Sequence, residues 1–116
     1  MHAALTTIDE LAHLPMDWDG YGALPIHPYT ADNAATVIRR LLAHTTAPDI
    51  TPNANGTLSL EWESSGGSAH LEIGMTRYSF YIKPNNSQTI YRDGMTNEIG
   101  VNLGLMVQAL LLLAAS

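Results

Sequence analysis

Between residues 57 and 83 apolar and polar side chains alternate with the two-residue period of a strand that buries one face. Leu58, Leu60 and Trp62 alternate with Ser59, Glu61 and Glu63, and after the turn composition Ser64-Ser65-Gly66-Gly67 the pattern resumes with Ala69, Leu71 and Ile73. Beyond Gly74-Met75-Thr76, Tyr78, Phe80 and Ile82 again fall on one side and Arg77, Ser79, Tyr81 and Lys83 on the other. The spacing predicts adjacent strands at 57–63, 68–74 and 77–83. Their inward set is Leu58, Leu60, Trp62, Leu71, Ile73, Tyr78, Phe80 and Ile82, and their outward face is polar. A short edge strand near Ile50 is expected against Leu58 and Leu60, since Pro52 is tolerated only at an edge. Gln88 to Arg92 are expected to add a brief last strand.

Periodicity changes to that of helices on either side of the strands. Thr7-Ile8-Asp9-Glu10 matches a capping box, which would start a short helix with Ile8, Leu11, Ala12 and Leu14 on one face and Pro15 at its end. A second helix is expected from an N-cap at Thr30, with Asp32 in its first turn. Ala34, Val37, Ile38, Leu41 and Leu42 form its apolar stripe. From residue 99 to 116 no charged residue occurs. Ile99, Leu103, Met106, Leu110 and Leu113 make one apolar stripe, and Val101, Leu105 and Leu112 a second. The fold class is therefore α+β: an antiparallel meander of three to five strands, helices packed on one face, and an apolar C-terminal helix. With 116 residues the chain, 1–116, reads as a single domain. The second stripe of the last helix predicts a homodimer with Val101, Leu105 and Leu112 in its interface. A membrane span is not expected, because Asn102, Gln108 and two glycines interrupt the run and no basic residues flank it.

Charge adds a bias to this outline. The net charge is −6. Residues 1–38 hold Asp9, Glu10, Asp17, Asp19 and Asp32 with no Lys or Arg, while the remainder holds six acids and five bases. Direct nucleic-acid binding, which needs clustered cations, is not expected; a basic protein surface fits better. The absence of cysteine removes disulfides, thiolate metal sites and cysteine nucleophiles, and fits a cytoplasmic location. No secretory signal is read at the N-terminus.

Candidate chemistry is sparse. Met16-Asp17-Trp18-Asp19-Gly20-Tyr21-Gly22-Ala23-Leu24-Pro25 cannot be helical and reads as a structured loop. Its aromatics and carboxylates suggest a partner-binding site at Asp17, Trp18, Asp19 and Tyr21, or else a ring packed down on the core. The calcium-loop pattern fails, since Tyr21 stands at the third ligand position and no bidentate glutamate follows. His2, His13, His27, His44 and His70 show no metal-ligand spacing and read as surface or boundary residues. Glu61, Glu63 and Glu72 share the outer sheet face, where a carboxylate pair could do acid–base work but reads more simply as solvated strand residues. No nucleophile elbow or phosphate loop is present. The chain is expected not to be an enzyme and to hold no cofactor or metal.

The run Trp18-Asp19-Gly20-Tyr21-Gly22-Ala23-Leu24-Pro25, followed by Asn55-Gly56, Leu60-Glu61-Trp62 and Leu71-Glu72-Ile73, resembles a group of small bacterial and phage proteins with a WDGYGA loop and an LEW/LEI hairpin. The likeness covers about residues 14–75 and carries no activity or catalytic residues with it. By type, as a compact acidic chain without enzyme motifs, the protein also resembles the phage-encoded inhibitors called anti-CRISPR proteins. That likeness implies a counter-defence protein in the host cytoplasm, acting on a nucleic-acid-processing complex such as a CRISPR effector subunit. An antitoxin-like or other bacterial interaction protein, and a small ligand-binding domain or enzyme, are the alternatives.

Overall fold

The computed structural model describes residues 2–41 and 46–114, leaving aside the side chains of His2, Val101, Leu112 and Ala114. Helix α1 (His2–Leu11) and helix α2 (Pro28–Leu41) precede five strands, β1 (Asp49–Pro52), β2 (Leu58–Ser64), β3 (Gly67–Ile73), β4 (Arg77–Pro84) and β5 (Ile90–Met95). A 3-10 turn, Thr96–Glu98, leads into helix α3 (Gly100–Ala114). The strands form one antiparallel sheet in chain order, β1-β2-β3-β4-β5. This is the α+β meander that the alternation predicts, with the C-terminal helix in place.

Register follows from the side-chain period. Leu60 pairs with Leu71 and Leu71 with Phe80, so each inward residue stands beside inward residues of its neighbours. All eight residues of the inward set are buried, with Ala69 between Trp62 and Ile82. Helix α2 lays Ala34, Val37, Ile38 and Leu41 on this face, and Ile99, just before α3, joins Leu103, Met106, Leu110 and Leu113 of α3 there. Ala4 and Ile8 of α1 complete the core. Each large side chain buried here contributes about 1.5–3 kcal/mol, which is why the helices lie on this side of the sheet and not on the other.

The glycine of the β2–β3 turn is fixed by space. Gly67 has φ +145°, and a Cβ there would lie 2.2 Å from the Lys83 carbonyl oxygen. Polar contacts tie the helices down as well. Asn33 of α2 donates to the carbonyls of Gly74 and Met75. Asn102 of α3 donates to Tyr78 Oη at 2.6 Å, and Ser64 Oγ donates to the Leu113 carbonyl.

The three central strands match the expected 57–63, 68–74 and 77–83 to within one residue at each end, and α1 ends at Leu11, before Pro15. Larger differences fall at the two helix starts and the last strand. Helix α1 begins at His2, so Thr7 lies inside it, and its hydroxyl donates back to the Ala3 carbonyl instead of capping. Helix α2 begins two residues before Thr30, with Pro28 in its first turn. His27 Nδ1 accepts from the Tyr29 amide, and Thr30 is buried. The imidazole thus takes the capping role expected of threonine, while proline supplies the preset φ of a first turn. The last strand runs 90–95 instead of 88–92, because the turn after Pro84 returns the chain opposite Ile82 only at Ile90. Leu42 and His44 lie outside the described residues.

Candidate functional site

One face of the sheet carries helices; among the described residues no element covers the other, and its polar residues run in complete rows across all five strands. Asp49, Glu61, His70, Tyr81 and Tyr91 are successive cross-strand partners. So are Thr51, Ser59, Glu72, Ser79 and Asp93. A shorter row holds Glu63, Ser68 and Lys83, and Arg77 stands opposite Met95. The face presents five carboxylates, Asp49, Glu61, Glu63, Glu72 and Asp93, against the cations of Arg77 and Lys83.

Side-chain hydrogen bonds set much of this surface in place. His70 Nε2 lies 3.0 Å from Ser59 Oγ, and its Nδ1 lies 3.2 Å from Tyr81 Oη and 3.7 Å from Glu61 Oε1. Asn53 Nδ2 donates to Ser59 Oγ and to Thr57 Oγ1, both at 2.9 Å, and Thr57 Oγ1 donates to Glu72 Oε2 at 2.7 Å. Such a network holds its side chains in one arrangement. The serine–histidine pair could pass a proton. Yet Ser59 is 4% exposed, beneath Asn53 and His70, so its hydroxyl is not presented to a substrate. Lys83 Nζ sits 4.9 Å from the centre of the Tyr81 ring, a cation–π distance.

Toward the β5 edge, Thr57, Glu72, Arg77, Ser79, Tyr91 and Asp93 line an open groove of about 410 Å³. Ser79 of β4, a small residue between Glu72 and Asp93, leaves the gap, and the carboxylates of β3 and β5 flank it. Tyr91 Oη donates to Asp93 Oδ2 at 3.2 Å. The phenol titrates above its ordinary value of 10.0, first through desolvation at the hydroxyl and then through the adjacent Asp93 charge, although the ring itself is exposed.

The 16–25 loop meets this face at one end. The Leu24 amide donates to the Ala54 carbonyl in the β1–β2 connection, where Asn55 Nδ2 reaches Glu72 Oε2 at 3.4 Å. Within the loop the four expected site residues have different surroundings. Asp19 Oδ1 accepts from the amides of Tyr21 (2.8 Å) and Ala23 (3.1 Å). Asp17, at φ 63°, accepts from the Gly22 amide, and Trp18 Nε1 donates to the Leu24 carbonyl at 2.8 Å. Gly20 and Gly22 have φ values of 78° and 84°, which glycine adopts without strain. The two carboxylates are thus turned onto the loop's own backbone, Trp18 is half-buried, and Tyr21 is left 92% exposed. Of the expected dimer residues, Leu105 is exposed, while the Val101 and Leu112 side chains lie outside the description.

His70, read from sequence as a surface or boundary residue, is the hub of the outer network. The signal lies in the pairing: once Glu61 is opposite His70, Ser59 is its diagonal neighbour and Tyr81 its partner on the next strand. Among the described residues no three His, Asp or Glu side chains gather as a metal set, and no helix is long and apolar enough to cross a membrane. No family model, curated protein or solved structure matches this chain.

Proposed function

We propose that this protein is a non-enzymatic protein-binding module whose uncovered sheet face receives a basic partner surface. In this proposal it acts as an inhibitor of a host nucleic-acid-processing complex, a counter-defence protein of phage or mobile-element origin in the manner of anti-CRISPR proteins. The observation that carries the reading is the outer face itself: five carboxylates against two cations, spread over five strands, with no helix among the described residues covering them. Acids held on a rigid sheet attract a Lys/Arg-rich surface over a distance and fix its orientation on contact. Surfaces that bind phosphate backbones are of that kind. Tyr91 adds an exposed aromatic to the face and Tyr21 another on the adjoining loop, residue types that supply much of the affinity at interfaces.

The experiment measures target cleavage by a purified CRISPR effector with and without the protein, and binding of the two in parallel. Inhibition that weakens with salt, and is lost in a Glu61→Lys/Glu63→Lys variant of unchanged melting temperature, supports the proposal. Inhibition undiminished by the double charge reversal overturns the face as the site. Absence of both inhibition and binding overturns the assigned target.

A further inference from the structure

The two edges of the sheet are finished differently. Strand β1 is four residues long, ends in Pro52 and lies beside α1, so that edge is closed to further pairing. Strand β5 has six residues, no proline and, among the described residues, no strand beyond it. Its helix-facing side is also bare: Ile90, opposite the buried Ile82, is itself 38% exposed. Helix α3, which lies over β3 and β4, leaves Leu105 36% exposed. Leu105 is one turn from Asn102, the residue that reaches Tyr78, and Tyr78 is the β4 partner of Gly94 on β5. Leu105 and the open β5 edge therefore share one flank of the molecule.

We propose that a second copy of this chain occupies that flank, with the two β5 strands antiparallel about a two-fold axis perpendicular to the sheet. This goes beyond the binding role of the outer face and does not depend on it. Such an axis keeps both helix layers on one side, joins the sheets into one of ten strands, and brings each α3 flank toward the other over the Ile90 side chains. Charge favours a second copy here above any other side. Of the chain's −6, residues 90–116 hold only Arg92, Asp93 and Glu98. Two copies of an acidic protein therefore meet with least repulsion on this flank, while a strongly basic partner finds little to attract it.

The same reasoning selects the register. Opposed residues of a continuous sheet share a face, so the axis must pass beside a single residue. An axis at Arg92 opposes two arginines, and one at Asp93 opposes two carboxylates, both destabilising. An axis at Tyr91 opposes the two tyrosines and sets Arg92 against Ile90 of the second copy, along which its methylenes can lie. It also draws in residues 88 and 89, which β4 leaves unpaired. The row from Asp49 to Tyr91 then continues through both copies.

Sedimentation equilibrium on the full chain at 1–100 µM tests the pairing. The expected mass is twice the chain's 12.6 kDa. Leu105→Glu and Ile90→Lys, both at positions already exposed in the single chain, should each return the mass to one chain without changing the far-ultraviolet circular dichroism. Because the chain has no cysteine, Tyr91→Cys makes a clean probe, and mild oxidation should link most of it into covalent dimers while Tyr21→Cys stays largely unlinked. A wild-type mass of one chain at every concentration overturns the proposal. So does a dimer that survives both charged substitutions, or one in which Cys at 91 links no better than Cys at 21.

Discussion

Replacing Asp19 by alanine separates a structural loop from a charged one. The Asp19 carboxylate accepts from the amides of Tyr21 and Ala23 at 2.8 and 3.1 Å, and Ala23 is buried. A hydrogen bond to a charged group contributes about 1.5–3 kcal/mol, less where water can replace it. The Tyr21 amide can turn to solvent, whereas the Ala23 amide cannot do so without opening the loop. A net loss of about 2 kcal/mol follows for Asp19→Ala. With an unfolding entropy of about 2.1 cal/mol/K per residue, 116 residues give roughly 0.24 kcal/mol/K, so Tm should fall by about 8 °C. Asp19→Asn keeps an oxygen at the same place and should lose less than half as much. Thermal unfolding followed by circular dichroism reads both. An Asp19→Ala variant melting within 1 °C of the wild type would refute the structural assignment. Equal losses for Asn and Ala would show that charge, not the acceptor, matters. Asp17→Lys with Asp19→Lys, a natural way to probe partner binding, should for the same reason lower Tm and reshape the loop.

Gly67→Ala forces a Cβ to within 2.2 Å of the Lys83 carbonyl at a φ that alanine rarely adopts, and should lower stability by about 1–3 kcal/mol in urea unfolding, well beyond Gly104→Ala on the open side of α3. Leu71→Ala, at the centre of the inner face and fully buried, should cost about 2–5 kcal/mol; a loss under about 1 kcal/mol would contradict the packing described. Tyr91 should ionise above pH 10 in the native protein, with the missing absorbance in Tyr91→Phe identifying it and Asp93→Asn moving its midpoint down. Because the raised value favours the neutral phenol in the folded state, the group's effect on stability is absent at neutral pH and becomes destabilising as pH rises past the unfolded value of 10.0.

Strand positions were legible because burial is decided residue by residue: one wrong step in register would have put Leu60 or Phe80 in water, and the alternation admits a single solution. The helix starts were less so. Thr7 has the spacing of a cap but lies within a helix that buried Ala4, ahead of it, extends toward the N-terminus. His27 caps α2 through a ring nitrogen, which residue statistics do not single out. The outer network is a different case. Nothing in the local sequence around Asn53, Ser59, His70 or Tyr81 marks a cluster, because they lie on separate strands or turns and meet only through pairing. The loop residues were found from composition, but composition could not say which way the carboxylates turn.

The central claim is that the uncovered sheet face, and not the loop or the helix layer, receives a basic partner. Amide chemical-shift mapping of the labelled protein with an oligolysine peptide tests it most directly. Salt-sensitive perturbations concentrated on the rows through Glu61, His70, Glu72 and Asp93, with α2 and α3 unmoved, are the predicted result. Perturbations confined to the 16–25 loop or to the helices, or none at low salt, would contradict it.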